Sequence, residues 1–315
     1  VSDIDRVLRS NLKLKHLQLI VALDEFRHLG RSAEFLSLTQ PAVSKSLAEI
    51  ERMFGLALFV RSTRGTEPTA YGEKVARFAR AVLADFDRTR EDIATVASGG
   101  AGRIRVGVMV VATPSLLTGA VARLKHHSPR TTVSVEEGDL SRLLPRLRVG
   151  ELDFIVGRLE PGYAAPDLET EALYSEPMRL IVTAGHPLTR RRKPGWPDLA
   201  ACPWVVPPAW ASSRVKLNQM FYKHGLEPPA NIIESASFLV TLTFLRQLGC
   251  IGFVAEDVAN WLTSERLAAT LRLQVPIELP SVGIVMLRNG LRTPAAARLL
   301  DELREQALRQ RRAAP

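Results

Sequence analysis

Cysteine is almost absent from this chain of 315 residues, with only Cys202 and Cys250 present. A disulfide scaffold or a cysteine-ligated zinc site needs more sulfur at closer spacing, so both are excluded. Long apolar runs are missing too: none approaches ~18 residues, so no transmembrane helix is expected. The opening segment, VSDIDRVLRSNLKLKH, is polar and charged and has no signal-peptide core. No Gly-rich phosphate loop occurs, and Ser212 and Ser213 lie outside any nucleophile elbow. His126, His127 and His186 lack a carboxylate or cysteine at ligand spacing. The expectation is a cytoplasmic protein with no metal and no cofactor, and not an enzyme.

What remains is ordinary in bulk. An apolar share of 46% and a charged share of 24% are those of a soluble protein, and the length suits two or three domains. The net charge of +9 invites a nucleic-acid reading, because Lys and Arg release counterions from phosphates. Its distribution weakens that reading. Much of the surplus lies in TRRRK at 189–193 and in the Arg-rich C-terminal helix, and such short runs are usually solvated surface. Pattern, not charge, has to locate function.

The informative stretch is 31–66, RSAEFLSLTQPAVSKSLAEIERMFGLALFVRSTRGT. It reads as a short helix, a tight turn, a second helix and a basic loop. Thr39 suits the N-cap of the second helix, and Pro41 suits its first turn, where a missing N–H costs no bond. Gln40, Ser44 and Lys45 then lie on the exposed N-terminal part of a helix fit for the major groove. Arg61, Arg64 and Thr66 in the adjoining wing are candidates for the DNA backbone or minor groove, and Arg31 for a phosphate. Leu14, Leu17, Ile20, Val21 and Leu23 give a preceding amphipathic helix, and Ala33, Leu36, Leu38, Val43, Leu47 and Ile50 continue the apolar face.

From Tyr71 to about Ala97 one long helix is expected. Val75, Val82, Thr89 and Val96 fall seven apart, with Ala79, Phe86 and Ile93 between them. Such a seam suits a coiled-coil partner, and Val75, Ala79, Val82, Phe86 and Ile93 are candidate dimerisation residues. A helix packed on its own domain remains the alternative. The break SGGAG at 98–102 leads into RIRVGV. Further strands are suggested at TTVSVEE, DFIVGR, MRLIVTA, WVVP, IIES, IGFVA and VGIVML, with helical stretches between several of them. This alternation argues for an α/β architecture with largely parallel sheets, and a final helix from about Pro294 to Arg312.

These residues reach a known pattern. The chain resembles the LysR-type transcriptional regulators over essentially its whole length. The N-terminal match runs through Leu38-Thr39-Gln40-Pro41-Ala42-Val43-Ser44-Lys45-Ser46-Leu47, Ile50-Glu51, Gly55, Leu58-Phe59, Arg61, Arg64-Gly65, Thr69 and Gly72. The second half matches through the strand at 103–108, Pro129, Gly150-Glu151-Leu152-Asp153 and Gly185-His186-Pro187-Leu188. The early segments look like the branch with regulators of sugar-binding-protein and protocatechuate genes. Ala255 departs from a proline common in the family, and Glu34 from a second alanine.

The resemblance implies an all-α winged helix-turn-helix at 1–70, a linker and dimerisation helix with its hinge at 71–102, and an effector domain at 103–315. That last domain resembles a periplasmic binding protein, with lobes at about 103–175 plus 278–315 and at 176–277, meeting at two crossing strands. A homodimer or homotetramer on double-stranded promoter DNA is implied, changing the DNA bend when a small effector arrives, with RNA polymerase as a further partner. In the cleft, the loop after the first strand supplies Val110, Val111, Thr113 and Ser115 at a helix start, and Glu137 and Gly138 face it by analogy. Arg158, at the C-terminal end of a strand, suits a carboxylate, so a carboxylated or hydroxylated metabolite is expected. Pro208, Trp210 and Phe253 complete the expected lining. Two other classes stay open on the residues alone. One is a small-molecule binding or transport protein whose helix-turn-helix likeness is coincidental. The other, an enzyme on an α/β scaffold, lacks any convergent set of reacting groups.

Overall fold

The computed structural model describes residues 4, 6–62, 65–97, 102–192, 194–290 and 292–313. The chain divides into two compact units, residues 1–100 with 145–152, and 101–144 with 153–315.

In the first unit, α1 (Leu14–Phe26), α2 (Leu29–Phe35) and α3 (Gln40–Phe54) enclose one core. The apolar positions that recur at helical spacing, Leu17, Ile20, Leu23, Ala33, Val43, Leu47 and Ile50, are all buried in it. Leu38 is the exception, half exposed beside the turn. Polar groups fix the angles between helices. His28 Nδ1 accepts from the N–H groups of Gly30 (3.1 Å) and Arg31 (3.3 Å), capping α2. The buried Ser32 hydroxyl lies within bonding distance of the carbonyls of Ala22 (3.1 Å) and His28 (2.9 Å), which pins α2 to α1. Thr39 Oγ1 accepts from the Ala42 N–H at 3.4 Å and opens α3, which ends at Gly55 in the left-handed region, φ 65°.

Glu51 on α3 anchors the start of the wing. Its Oε1 accepts from the N–H groups of Leu58 (2.8 Å) and Phe59 (3.1 Å), where β1 (Phe59–Ser62) begins. β1 pairs antiparallel with β2 (Gly65–Pro68) to form the wing. The Thr66 N–H donates to the Arg27 carbonyl at 2.8 Å, and the Arg27 guanidinium bridges Asp24 (2.9 Å) and Glu67 (2.8 Å).

The long helix α4 (Ala70–Ala97) departs close to β1: a Cβ on Gly72 would lie 2.0 Å from the Leu58 carbonyl oxygen. Its heptad seam changes partner along its length. Ala76 and Ala79 are fully buried and Val75 and Val82 partly so, all against the core of the three helices. Ala79 is therefore corrected from a dimerisation residue to a core residue. The periodicity is the same whether a helix packs on its own domain or on a partner. Further along, Phe86 and Ile93 are exposed.

The second unit holds two five-stranded sheets. The first has the order β4-β3-β5-β12-β6, built from β3 (Arg103–Val108), β4 (Thr132–Glu137), β5 (Phe154–Arg158), β6 (Leu168–Tyr174) and β12 (Val282–Leu287). The second has the order β11-β7-β10-β8-β9, from β7 (Met178–Val182), β8 (Trp204–Val206), β9 (Ile232–Glu234), β10 (Ile251–Ala255) and β11 (Ala269–Thr270). Helices α5 (Thr118–His127) and α6 (Leu140–Arg148) come after β3 and β4, and α7 (Trp196–Ala200) precedes β8. In chain order, α8 (Ser212–Lys223) and α9 (Phe238–Leu248) flank β9, α10 (Glu256–Ser264) succeeds β10, and α11 (Pro294–Ala313) succeeds β12. Each sheet has its own core, one around Ile104, Phe154 and Leu299, the other around Leu180, Trp204 and Phe221. The chain passes between them after β6 and again before β12.

The sheets are mixed, not largely parallel. β4, β3 and β5 run parallel, as do β10, β8 and β9, while β12 lies antiparallel between β5 and β6, and β7 antiparallel to β10 and β11. Pattern alone also misses β6, LETEALY. It is an edge strand whose charges face solvent and helix: Glu171 accepts from Arg304 on α11 at 2.8 Å.

Two glycines separate backbone strain from close approach. Nothing lies within 4 Å of a Cβ on Gly55, so Gly55→Ala is expected to cost only the left-handed conformation, about 1 kcal/mol. Gly72→Ala forces α4 off β1 and is expected to cost clearly more. Urea unfolding tracked by the helical signal checks the order, and equal losses would refute it.

Candidate nucleic-acid interface and effector cleft

The core of the first unit decides what α3 offers. Val43, Leu47 and Ile50 face inward, which leaves Gln40, Pro41 and Lys45 exposed and Ser44 half-buried on the first two turns. Thr39 and Arg31 are exposed beside them. These residues are therefore wholly or partly accessible. The wing residues fare differently. Thr66 is 3% exposed, so it is corrected from a DNA contact to a wing anchor. Its neighbour Arg27, unremarked in the sequence, holds the wing to α1. Arg64 and the side chain of Arg61 lie outside the described residues, as do 98–101 of the expected hinge and the side chain of Val96.

In the second unit, the chain leaves β3 through a 3-10 turn (Val110–Ala112) and a π turn (Thr113–Leu117) before α5. Wide π turns often accompany functional sites, because they turn one residue out of the helical pattern. Val110 and Val111 pack against the core of the second sheet, so this segment bridges both lobes. Ser115 donates its hydroxyl to Asp257 Oδ1, at the start of α10. Thr113 Oγ1 is buried with no hydrogen-bond partner.

Arg158 is 6% exposed at the end of β5, and its Nη1 donates to the Pro280 carbonyl at 2.7 Å. Burial works against its charge, while Glu176, Glu160 and Tyr174 support it. Its neighbourhood is thus already anionic. Glu176, in the first crossing between the lobes, has Oε2 accepting from the Asp257 N–H at 2.7 Å and Oε1 buried without a partner. Burial pushes the Glu176 carboxyl up to about 7, and burial raises Asp257 too. The Tyr174 hydroxyl, also buried and unpartnered, is pushed well above the usual phenol range by the same desolvation. Across the junction, Ser212 at the start of α8 donates to Glu160 Oε1 at 2.7 Å.

The remaining expected lining is scattered. Glu137 is exposed, and the Gly138 N–H is used by the Val108 carbonyl at 3.1 Å. Pro208 is half-buried with its carbonyl accepting from Ala211, and Trp210 is 64% exposed. Phe253 is corrected from a lining residue to a core residue, buried within β10 of the second lobe. Sequence reasoning missed Tyr174, Glu176 and Asp257. No motif joins them, and only the crossing of the chain brings them together.

An exposed polar helix start on a three-helix core with a wing, leading to a two-lobed α/β unit with a polar junction, defines a DNA-binding protein with a sensor domain. Comparisons with known proteins agree. The LysR substrate binding domain matches residues 97–308, and the bacterial regulatory helix-turn-helix protein, lysR family, matches residues 14–73. The transcriptional regulator GbpR of Azospirillum brasilense is 31% identical over 300 residues, 94% of this chain and 87% of that protein. PcaQ of Agrobacterium fabrum is 27% identical over 296 residues, 94% of this chain and 95% of that protein. The crystal structure of CbnR, a LysR family transcriptional regulator, superposes with a TM-score of 0.67 at 20% identity, covering 94% of this chain and 99% of that one. The chain belongs to the LysR family of transcriptional regulators. It is a regulator with a DNA-binding and an effector-binding domain, not an enzyme. Among the described residues, no helix is long and apolar enough to cross a membrane.

The Ser115–Asp257 bond yields a direct expectation. Ser115→Ala removes the hydroxyl donor and leaves Asp257 only the backbone N–H of residue 115, which costs about 1–3 kcal/mol for a buried acceptor. A lowered melting temperature of the sensor domain, with the DNA-binding domain unaffected, is the expected result. An unchanged melt would show that the lobes do not depend on this bond.

Proposed function

We propose that this regulator reads promoter DNA through Gln40, Ser44 and Lys45 on α3, with Thr39, Pro41 and Arg31 at the phosphates and the wing arginines Arg61 and Arg64 alongside. The exposed polar face of α3, left over after its apolar face is buried, is the observation that carries this reading. A solved relative, full-length CbnR, was crystallised with its target DNA, and it shares this fold with a TM-score of 0.68 at 19% identity. The working compartment is the cytoplasm, where promoter DNA is found.

Two copies act together, joined through Phe86 and Ile93 on the exposed half of α4 and assembling as a homodimer or homotetramer. Two-fold pairing suits two-fold DNA half-sites. The effector enters between the lobes beside Thr113, Ser115 and Arg158. With the junction lined by Glu160, Glu176 and Asp257, a hydroxylated metabolite suits it better than a carboxylate, since acceptors there outnumber free donors.

Gel shifts on the region upstream of its own gene test the reading head. Lys45→Ala is expected to weaken binding and to reduce the salt slope by about 1, the signature of one lost phosphate contact. Gln40→Ala is expected to lose about 1–3 kcal/mol of discrimination at one base pair. Binding unchanged in both variants would refute the assignment. For assembly, Phe86→Glu with Ile93→Glu is expected to give a smaller species in sedimentation velocity. An undiminished oligomer would move the interface elsewhere.

A further inference from the structure

Four buried oxygens without partners lie on the segments that meet at the lobe junction: Thr113 Oγ1, Tyr174 OH, Glu176 Oε1 and Asp257 Oδ2. Buried polar atoms are nearly always paired, so a cluster of orphans calls for a physical account. All four are buried from solvent. Two are hydroxyls, which donate and accept, and two are carboxyl oxygens, whose groups change charge when they take up a proton.

The surroundings of Glu176 come from every element packed around it. Arg158 on β5 is the nearby cation, and its Nη1 is engaged by the Pro280 carbonyl. Asp257 and Glu256 at the start of α10 oppose ionisation of Glu176, and Glu256 is itself held by Arg179 on β7. Tyr174 lies at the end of β6, and Glu160 beyond β5 is occupied by Ser212. The π turn carrying Thr113 and Ser115 packs on α10 from the other lobe.

We propose that Glu176 is a proton-operated latch at the crossing between the lobes. Protonated, it puts no charge beside Asp257, and the bonds Ser115 to Asp257 and Asp257 N–H to Glu176 hold the π turn, α10 and the first crossing together. Ionised, it places a second buried carboxylate beside Asp257, and the junction loosens. The proton comes from solvent and returns to it, and no other bond changes. The latch rests on the reading of this junction as the effector cleft only for its consequence, easier effector entry at alkaline pH.

Burial supports the same direction. The carboxyl of Glu176 is pushed up to about 7 from the ordinary 4.5. A carboxyl that holds its proton more tightly when folded contributes its full stability below the ordinary value. That contribution fades as the pH rises through about 7. The latch is therefore closed on the acid side of neutrality.

The test compares full-length wild type with Glu176→Gln, whose amide stays neutral at every pH of the experiment. Between about pH 6 and about pH 8.5 the melting temperature of the sensor domain is expected to fall by roughly 3 °C more in wild type than in the variant. The buried His16 and His186, whose pKa values burial lowers, are common to both proteins and cancel in the difference. Hydrogen exchange, corrected for its intrinsic pH dependence, is expected to rise over the same interval in peptides covering 113–117 and 256–264 of wild type only. A wild type with no such change, or a Glu176→Gln protein with the same change, overturns the latch. Should Glu176→Gln fail to fold, Asp257→Asn serves instead. It removes the neighbouring charge, so the transition must move to lower pH, and an unmoved transition also overturns the latch. Gel shifts on the same samples keep the two readings apart. Loss of wild-type DNA binding would defeat the regulator assignment and leave the latch standing.

Discussion

Two chain crossings join the two sheets of the sensor domain, and each sheet has a core of its own. Apolar contact between them runs through Val110 and Val111. Hydrogen bonds at the junction add to it: Ser115 to Asp257, the Asp257 amide to Glu176, Arg158 to the Pro280 carbonyl and Ser212 to Glu160. Polar contacts of this kind are individually modest and depend on protonation and competition. A junction built from them changes state at a cost that ligand binding or a proton can meet, whereas a fused core would not.

The DNA-binding unit obeys the opposite logic. Its core runs without interruption through three helices, the first strand of the wing and the first half of α4. Polar groups there close backbone ends: His28 on α2, Thr39 on α3 and Glu51 on the start of β1. The helix α3 is thus presented on a frame with few ways to yield. A rigid DNA-binding unit and a yielding sensor suit a regulator with one domain for DNA and one for an effector.

Local pattern was most legible where one face of an element decides its fate. The cap at Thr39, the apolar stripe of α1 to α3 and the span of α4 are all short-range properties, and the structure has them where the spacing puts them. Periodicity failed where two partners give the same pattern. Ala79 reads as a seam residue and packs at home. Alternation failed for β6, because an edge strand carries charges such as Glu169 and Glu171 that pair with arginines on α11 and the segment before it. The direction of β12 was equally hidden, since a fully buried strand looks alike whichever way it runs.

What the sequence by itself determined is most of the elements, the family and the exposed face of α3. Each of these depends on residues within a few positions of one another. Only the tertiary structure decided which groups meet at the lobe junction. Thr113, Arg158, Tyr174, Glu176 and Asp257 come from four separate segments, and their chemistry arises from shared burial, not from spacing. Desolvation is a property of the assembled fold. For that reason a glutamate that reads in the sequence as one acidic residue among many becomes, between the lobes, a carboxyl that holds its proton near neutrality.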